Sequence, residues 1–454
     1  MNNSILFNNL RGRFPFLVFQ SYTIHKLNGN YTIKFLFNLS DIYLFEPEIE
    51  IPSRSFFIND SISNDELETF IFQIGMIEMI SYWKCACPPV VIVKPFKLND
   101  KQILWWKNLY FNGLGEFFYL NEIETDVISF MNIISESDRQ FVVSDLPLNE
   151  TILVPIGGGK DSIVSLELLK TNNLTIIPLI VNPRDATTRS AELAGFSPEK
   201  CIIIHRSIDP RLIKLNSEGF LNGHTPFSAL LAFLTSFAAF LTGAKHIALS
   251  NESSANEATV AGSNINHQYS KSFEFESDFR QYSRSYLHHE LNYFSLLRPL
   301  NELQIGKIFS RNELYFKTFK SCNVGSKTDS WCCNCPKCLF TYIILSPFIS
   351  LLTLNQIFDR DLADNESLVP ILNELRGLSS AKPFECVGTV EEVEAAIQQL
   401  LVSNPEVKNS KLFSQIIVHH HVEKDSESLL TNFDTHHFLL PKFESIVKNA
   451  VYAK

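Results

Sequence analysis

The chain has 454 residues, 45% apolar and 19% charged, so it can build a substantial core and is not an extended disordered segment. Its formal net charge of −10 excludes a general electrostatic grip on nucleic acid, although a local site can still hold a small anion. The odd count of nine cysteines, and an N-terminal stretch without the charged-then-apolar plan of a secretory signal, point to free or metal-bound thiols in a reducing cytoplasm.

Residues 1–147 read as an α+β region. Residues 31–52 are β-rich, and residues 65–83 repeat apolar side chains at helical spacing. Cys85 and Cys87 are too close together for the usual paired zinc ligands and read as structural thiols. A different rhythm fills residues 148–320. A short apolar run, Thr151–Ile156, is followed by GGGKDS and a helical stretch, Ile163–Lys170. Thr175–Val181, Cys201–His205 and His246–Ser250 are further strand candidates. Between them lie a helix over Asp185–Gly195 and one capped by Thr225, with Pro226 in its first turn and Gly243 at its end. Short apolar strands alternating with helices predict an α/β fold with a parallel, doubly wound sheet, whose strands present their carboxyl ends along one edge.

The alternation in Phe273–Phe279 (FEFESDF) predicts a half-buried strand. Residues 321–340 form a cysteine-rich knuckle, and residues 341–454 read as mainly helical, with a capping box at Thr389–Glu392. Two uncharged runs, Pro226–Ala244 and Leu339–Asn355, imitate membrane spans. Their setting predicts core helices instead, and no membrane association is expected.

The chemistry concentrates at Gly157, Gly158, Gly159, Lys160, Asp161 and Ser162. Three glycines allow a sharp turn with open amides, the following helix adds partial positive charge, and Lys160 adds a full one. Ser162 can donate to a phosphate oxygen, and Asp161 can hold a magnesium ion. The spacing fits neither a Walker A loop nor a dinucleotide fingerprint. It resembles the PP-loop of ATP pyrophosphatases (the adenine nucleotide alpha hydrolase-like fold), Ser-Gly-Gly-x-Asp-Ser, with Gly157 in place of the first Ser. The competing reading is a plain glycine turn.

At the same predicted edge lie Asn182 and Arg184 after the second strand, and Asn251, Glu252 and Glu257 after the fourth. Arg298–Pro299–Leu300 followed by Lys307 resembles a segment that PP-loop enzymes carry near the triphosphate. Cys332, Cys335 and Cys338, with Cys322 ten residues before the first, can close a tetrahedral zinc site; the alternative is a cluster of reduced thiols around Pro336. His419, His420, His421, His436 and His437 match no common metal spacing and read as a solvated or partly buried stretch.

Longer segments, VPIGGGKDSIVSLELL, LNGHTPFSALLAF, ALSNESSANEATV, NHQYSKSFEFESDF, WCCNCPKCLF and KPFECVGTVEE, together resemble the UDP-N-acetyl-α-D-muramoyl-L-alanyl-L-glutamate epimerases. The resemblance implies an ATP- and magnesium-dependent isomerase of peptidoglycan synthesis. It would act on the UDP-linked muramoyl dipeptide through an acyl-adenylate and release AMP and diphosphate. On that reading Gly157, Gly158, Gly159, Lys160, Asp161, Ser162, Asn182, Arg184, Asn251, Glu252 and Lys307 bind the nucleotide. Lys160 and Asp161 serve the chemistry, and His224, Glu257 and Lys271 are candidates for proton transfer, with Glu252, His267 and Cys386 as further candidates. Other PP-loop enzymes, such as 7-cyano-7-deazaguanine synthases or RNA-thiolating enzymes, and a nucleotide-binding regulator without turnover are the alternatives. The oligomeric state is not legible.

Overall fold

The computed structural model describes residues 3–58, 61–260, 262–263, 265–379, 381–414, 416 and 426–453. His419, His420 and His421 lie outside the described residues. The described strands are β1 (Phe16–Leu27), β2 (Asn30–Leu39), β3 (Tyr43–Phe45), β4 (Glu48–Ile51), β5 (Val90–Val93), β6 (Asn132–Ser135), β7 (Asn149–Pro155), β8 (Ile176–Val181), β9 (Ile202–Ser207), β10 (Ala244–Leu249) and β11 (Asn292–Ser295). Together with many helices they make a mixed α/β protein. The chain divides into two compact units. The first comprises residues 1–153, 202–247 and 265–292, the second residues 154–201, 248–264 and 293–454.

In the first unit β2 alternates buried and partly exposed residues, burying Tyr31, Ile33, Phe35, Phe37 and Leu39 on one face, as period-2 geometry requires. The parallel sheet is expected over residues 148–320, where β10 pairs with β7 in parallel and β9 pairs with β4 of the N-terminal region antiparallel. β1 pairs with β5, β5 with β6, and β10 with β7 in parallel, whereas β1–β2, β2–β3, β2–β4 and β4–β9 are antiparallel. The β1–β2 hairpin belongs to the region read as α+β. Only two residues, Asn28 and Gly29, join these strands, and both have positive φ, a turn that reverses the chain at once.

Helix Asn64–Trp83 starts at a capping box between Ser63 and Glu66. It packs beside helix Phe227–Thr242, where Phe70 and Phe240 stack at 4.4 Å. That second helix is the apolar run that imitated a membrane span. Its Thr235, Ser236 and Thr242 hydroxyls donate to carbonyls of their own helix, so the buried face carries satisfied polar groups. No described helix is long and apolar enough to cross a membrane.

Phe273–Tyr286 is a helix, which corrects the strand expected over Phe273–Phe279. The alternation misleads because Phe275 and Phe279 are also one helical turn apart. Tyr282 continues their buried stripe, and Ser272 caps the start by accepting from the Phe275 amide. In the second unit, helices Lys160–Thr171 and Glu302–Phe309 pack together, and Pro336–Leu345 packs on Val390–Ser403. The run Leu339–Asn355, expected to be helical, falls in two helices, Pro336–Leu345 and Leu351–Phe358.

Gly243 ends helix Phe227–Thr242 in the left-handed region, φ 66°. A Cβ there would lie 3.3 Å from Ile58 Cδ1 and 3.4 Å from Asn149 Nδ2. Gly243→Ala is therefore expected to destabilise the protein by about 1 kcal/mol. An unchanged urea-unfolding midpoint would contradict this account of the cap.

Candidate functional site

The glycine loop belongs to the second unit. Gly158 has φ 82°, and a Cβ on it would sit 3.0 Å from the Ala186 carbonyl carbon, so no other residue fits without movement. A Cβ on Gly159 would meet Ser321 Oγ at 2.9 Å, whereas Gly157 faces open space. The turn is held from outside: the Lys320 amide donates to Gly158 O at 2.8 Å and Arg184 Nη2 to Gly157 O at 3.2 Å. Helix Lys160–Thr171 then begins with no side-chain cap, and Ser162 Oγ donates back to Gly159 O at 3.0 Å.

Lys160 is 2% exposed and donates to both Asp161 and Glu302. Glu302 opens helix Glu302–Phe309, capped by Asn301, and its own amide donates to Glu392 Oε1 at 2.7 Å. Glu392 is in turn the reciprocal partner of Thr389 in the expected capping box. Glu252, 4% exposed, adds a fourth carboxylate whose charge acts on Glu302. Carboxylates thus outnumber the ammonium that touches them. Burial pushes the Glu302 carboxyl up to about 8; Lys160 pulls it back, and Asp161 and Glu252 raise it further. Burial also raises Glu392. For Lys160, burial opposes the charge, but Asp161 and Glu302 more than offset it and hold the ammonium above its ordinary value. The set can accept a cation or retain a proton.

The other candidates fall as follows. Arg184 also donates to Ser326 O at 3.3 Å, while Asn182 is exposed, with φ 50°. Asn251 Nδ2 donates to Ser295 Oγ at 3.1 Å. Lys307 is half-buried on the Glu302 helix and forms no ion pair among the described residues. Glu257 is ion-paired with Lys382. Cys386 is half-buried, and its carbonyl accepts from Lys337 Nζ. His436 is exposed beside Asp434. Sequence reasoning missed Glu302 and saw Glu392 only as a cap; the Asn-Glu after Arg298–Pro299–Leu300 was the available signal.

The knuckle, also in the second unit, brings Cys322, Cys332, Cys335 and Cys338 together, their sulfurs all within 4.8 Å of one another. Sγ–Sγ distances are 3.8 Å for Cys322–Cys335, 3.8 Å for Cys332–Cys338 and 3.5 Å for Cys335–Cys338. Zinc–sulfur bonds of about 2.3 Å in a tetrahedron put sulfurs about 3.8 Å apart, so these residues fit the ion. Cys322 Sγ accepts from the Gly325 and Cys332 amides at 3.1 and 3.4 Å, donors that favour a thiolate. Hydrogen bonding with Cys338, chiefly between the two sulfurs, pulls Cys335 down to about 5. Cys333 has φ 59° and points elsewhere, its sulfur donating to Phe358 O at 3.3 Å.

His224 and Lys271 belong to the first unit. There His267 Nδ1 is hydrogen-bonded to Glu116, whose Oε2 also lies 3.6 Å from His224 Nδ1. The imidazole centroids are 4.4 Å apart. Burial, and then the charge of His267, pull His224 down to about 4, with Lys84 and Lys271 acting in the same sense and Glu116 opposing. Burial likewise lowers Lys84 to about 8, and its Nζ donates to Gly223 O. No sequence signal marked Glu116.

Comparison with known proteins bears on both units. The family model described as the MurL N-terminal domain matches residues 9–296, and that of the MurL C-terminal domain matches residues 318–430. A UDP-N-acetyl-alpha-D-muramoyl-L-alanyl-L-glutamate epimerase of a Micromonospora species is 35% identical, covering 72% of this chain and 73% of its own. Proteins of the same description from Xanthomonas oryzae pv. oryzae and Salinispora tropica are 32% and 34% identical, covering 76% and 72% of this chain and 77% and 72% of their own. No solved structure matches the chain. With both domain models matched and more than two thirds of each relative covered, the chain belongs to the UDP-N-acetyl-alpha-D-muramoyl-L-alanyl-L-glutamate epimerase (MurL) family.

Proposed function

We propose that the protein inverts the terminal L-Glu of UDP-N-acetylmuramoyl-L-alanyl-L-glutamate to D-Glu, consuming ATP through an acyl-adenylate in the manner of a PP-loop enzyme. The relatives' descriptions support the substrate. The observation that carries the ATP step is Lys160, buried beneath a turn that only glycine can make and held against Asp161 and Glu302.

The chemistry needs activation. A free α-carboxylate resists loss of the neighbouring proton, because a second negative charge would build beside the first. Joining that carboxylate to the α-phosphate of ATP removes its charge and expels diphosphate. A base then takes the α-proton, an acid returns one to the opposite face, and hydrolysis releases AMP. The open amides from Gly157 to Ser162 would hold phosphate oxygens, and Lys160 would offset charge as diphosphate departs. Lys307, on the same helix as Glu302, would add a second cation. Asp161, Glu302 and Glu252 are the donors that would hold magnesium, and their surplus negative charge suits a hard divalent ion. When bound, magnesium supplies charge neutralisation at phosphate. The cysteine knuckle would hold structural zinc.

Asp161→Asn tests the loop. With ATP, magnesium and the UDP-linked dipeptide in heavy water, wild-type protein is expected to place deuterium at the glutamyl α-carbon and to release diphosphate. The variant should lose at least ~100-fold of the diphosphate release while its melting temperature stays close to wild type. Unchanged release would refute the assignment.

Glu302 sets a pH dependence. Its folded carboxyl titrates near 8, whereas an unfolded one titrates near 4.5. Between these values the folded chain binds the extra proton, so stability falls as pH rises from the unfolded value through the folded one. Denaturant unfolding without nucleotide or magnesium should show this decline between pH 6 and 8, and Glu302→Gln should flatten it. A wild-type profile without the decline would count against a protonated Glu302.

Metal analysis of the purified protein should find about one zinc per chain, and Cys335→Ser should abolish it. A metal-free wild type would dismiss the zinc site.

A further inference from the structure

The Glu116–His224–His267 cluster of the first unit is assembled from three separate stretches of chain. Helix Gly115–Leu120 supplies Glu116, the turn before helix Phe227–Thr242 supplies His224, and the approach to the single helical turn Tyr269–Lys271 supplies His267. Its backbone is fixed by close packing. A Cβ on Gly113 would fall 2.7 Å from Pro226 Cγ, and Asn121 Nδ2 donates to Asn222 O at 3.2 Å, so the segment bearing Glu116 is tied on both sides to the one bearing His224. Lys84 Nζ, on Gly223 O, secures the residue before His224.

The geometry assigns roles. One carboxylate serves two imidazoles, receiving His267 Nδ1 and lying 3.6 Å from His224 Nδ1. A carboxylate facing Nδ1 favours the tautomer with its proton there and leaves Nε2 as the acceptor. Nε2 of His224 meets no hydrogen-bond partner among the described residues, and the side chain retains 24% exposure, so a substrate can reach it. Such a group, neutral at physiological pH because burial disfavours its charge, is a base awaiting a proton. Lys84 and Lys271 supply positive charge nearby, which suits a carbon acid that carries carboxylates.

We propose that this cluster is the proton-exchange site of the epimerisation, with His224 Nε2 accepting the glutamyl α-proton and Glu116 positioning the two imidazoles. The inference rests on the acyl-adenylate reading above. The C–H electron pair moves into the activated carbonyl as an enolate, and the proton passes to His224, whose imidazolium Glu116 stabilises. A water molecule protonates the opposite face as the enolate collapses, and the hydroxide it leaves takes the proton from the His224 imidazolium. The three donor atoms also lie within 4.8 Å of one another, close enough for a shared metal ion, but the two lysines oppose a further divalent charge there.

The test is the ratio of α-deuterium incorporated to diphosphate released, measured in heavy water with ATP, magnesium and the UDP-linked dipeptide. His224→Gln should lower that ratio at least ~100-fold. An unchanged ratio overturns the proposal, as does stoichiometric transition metal in the wild type that disappears with His224→Gln. Glu116→Gln provides a second arm and serves if His224→Gln fails to fold. The groups facing His224 are Glu116, His267, Lys84 and Lys271; Glu116 alone raises its proton affinity. Its loss should therefore move the acid limb of α-exchange to lower pH, and an unmoved limb denies Glu116 the positioning role. Wild-type exchange without diphosphate release would refute the adenylate step alone. Exchange per enzyme would then replace the ratio and still test His224.

Discussion

One ammonium buried among more carboxylates than it can neutralise is the constraint on which the second unit turns. A buried ion pair is weak grounds for stability, because desolvating both charges costs about as much as their attraction returns. Here the balance is worse than a pair. Lys160 meets Asp161 and Glu302, and the charge of Glu252 acts on Glu302. The fold meets part of this cost with backbone donors, since Glu392 receives the amides of Thr389 and Glu302, and burial raises the proton affinity of Glu302. An apolar residue at position 160 would be cheaper to bury. The arrangement makes sense as a site left short of positive charge, which a divalent ion beside phosphate would supply.

The same constraint explains what the sequence displayed and what it hid. The loop was legible because its parts are contiguous: strand, glycines, Lys160, Asp161 and Ser162 follow one another, and each residue type has a local reason to be there. Glu302 and Glu392 were not, because they arrive from 142 and 90 residues further along successive steps of the chain, and a single glutamate near a helix start reads as a cap. Indeed Glu392 is a cap, and its other oxygen accepts the Glu302 amide. Glu116 was hidden for the same reason. It meets His267 across 151 residues, and nothing local distinguishes it from a solvated acid on a short helix.

Secondary structure failed where two periods coincide. Phe275 and Phe279 satisfy both alternation and one helical stripe, and only the Ser272 cap and the later Tyr282 decide for the helix. The antiparallel hairpin of the first unit was similarly underdetermined. Its strands are apolar enough for either pairing, and the reversal rests on the positive φ of Asn28 and Gly29. By contrast, helix Phe227–Thr242 was readable despite its membrane-like composition, since Pro226 and Gly243 mark both its ends, although Pro226 and not Thr225 stands at the N-cap and no side chain caps it.

The cysteine knuckle gains a meaning from its neighbours rather than from its ligands alone. Its loop begins at Lys320 and Ser321, the residues that hold Gly158 O and back Gly159. It continues through Ser326, which receives Arg184, and Asp329, whose carboxylate accepts the Asp185 and Ala186 amides at 2.9 and 3.2 Å. Arg184 in turn reaches Gly157 O. The segment that would be clamped by zinc is thus the segment that shapes the glycine turn from behind. A metal cross-link here would add rigidity to a segment whose backbone contacts set the turn. On this view zinc would take no part in the chemistry; it would fix the angle at which three glycines present their amides.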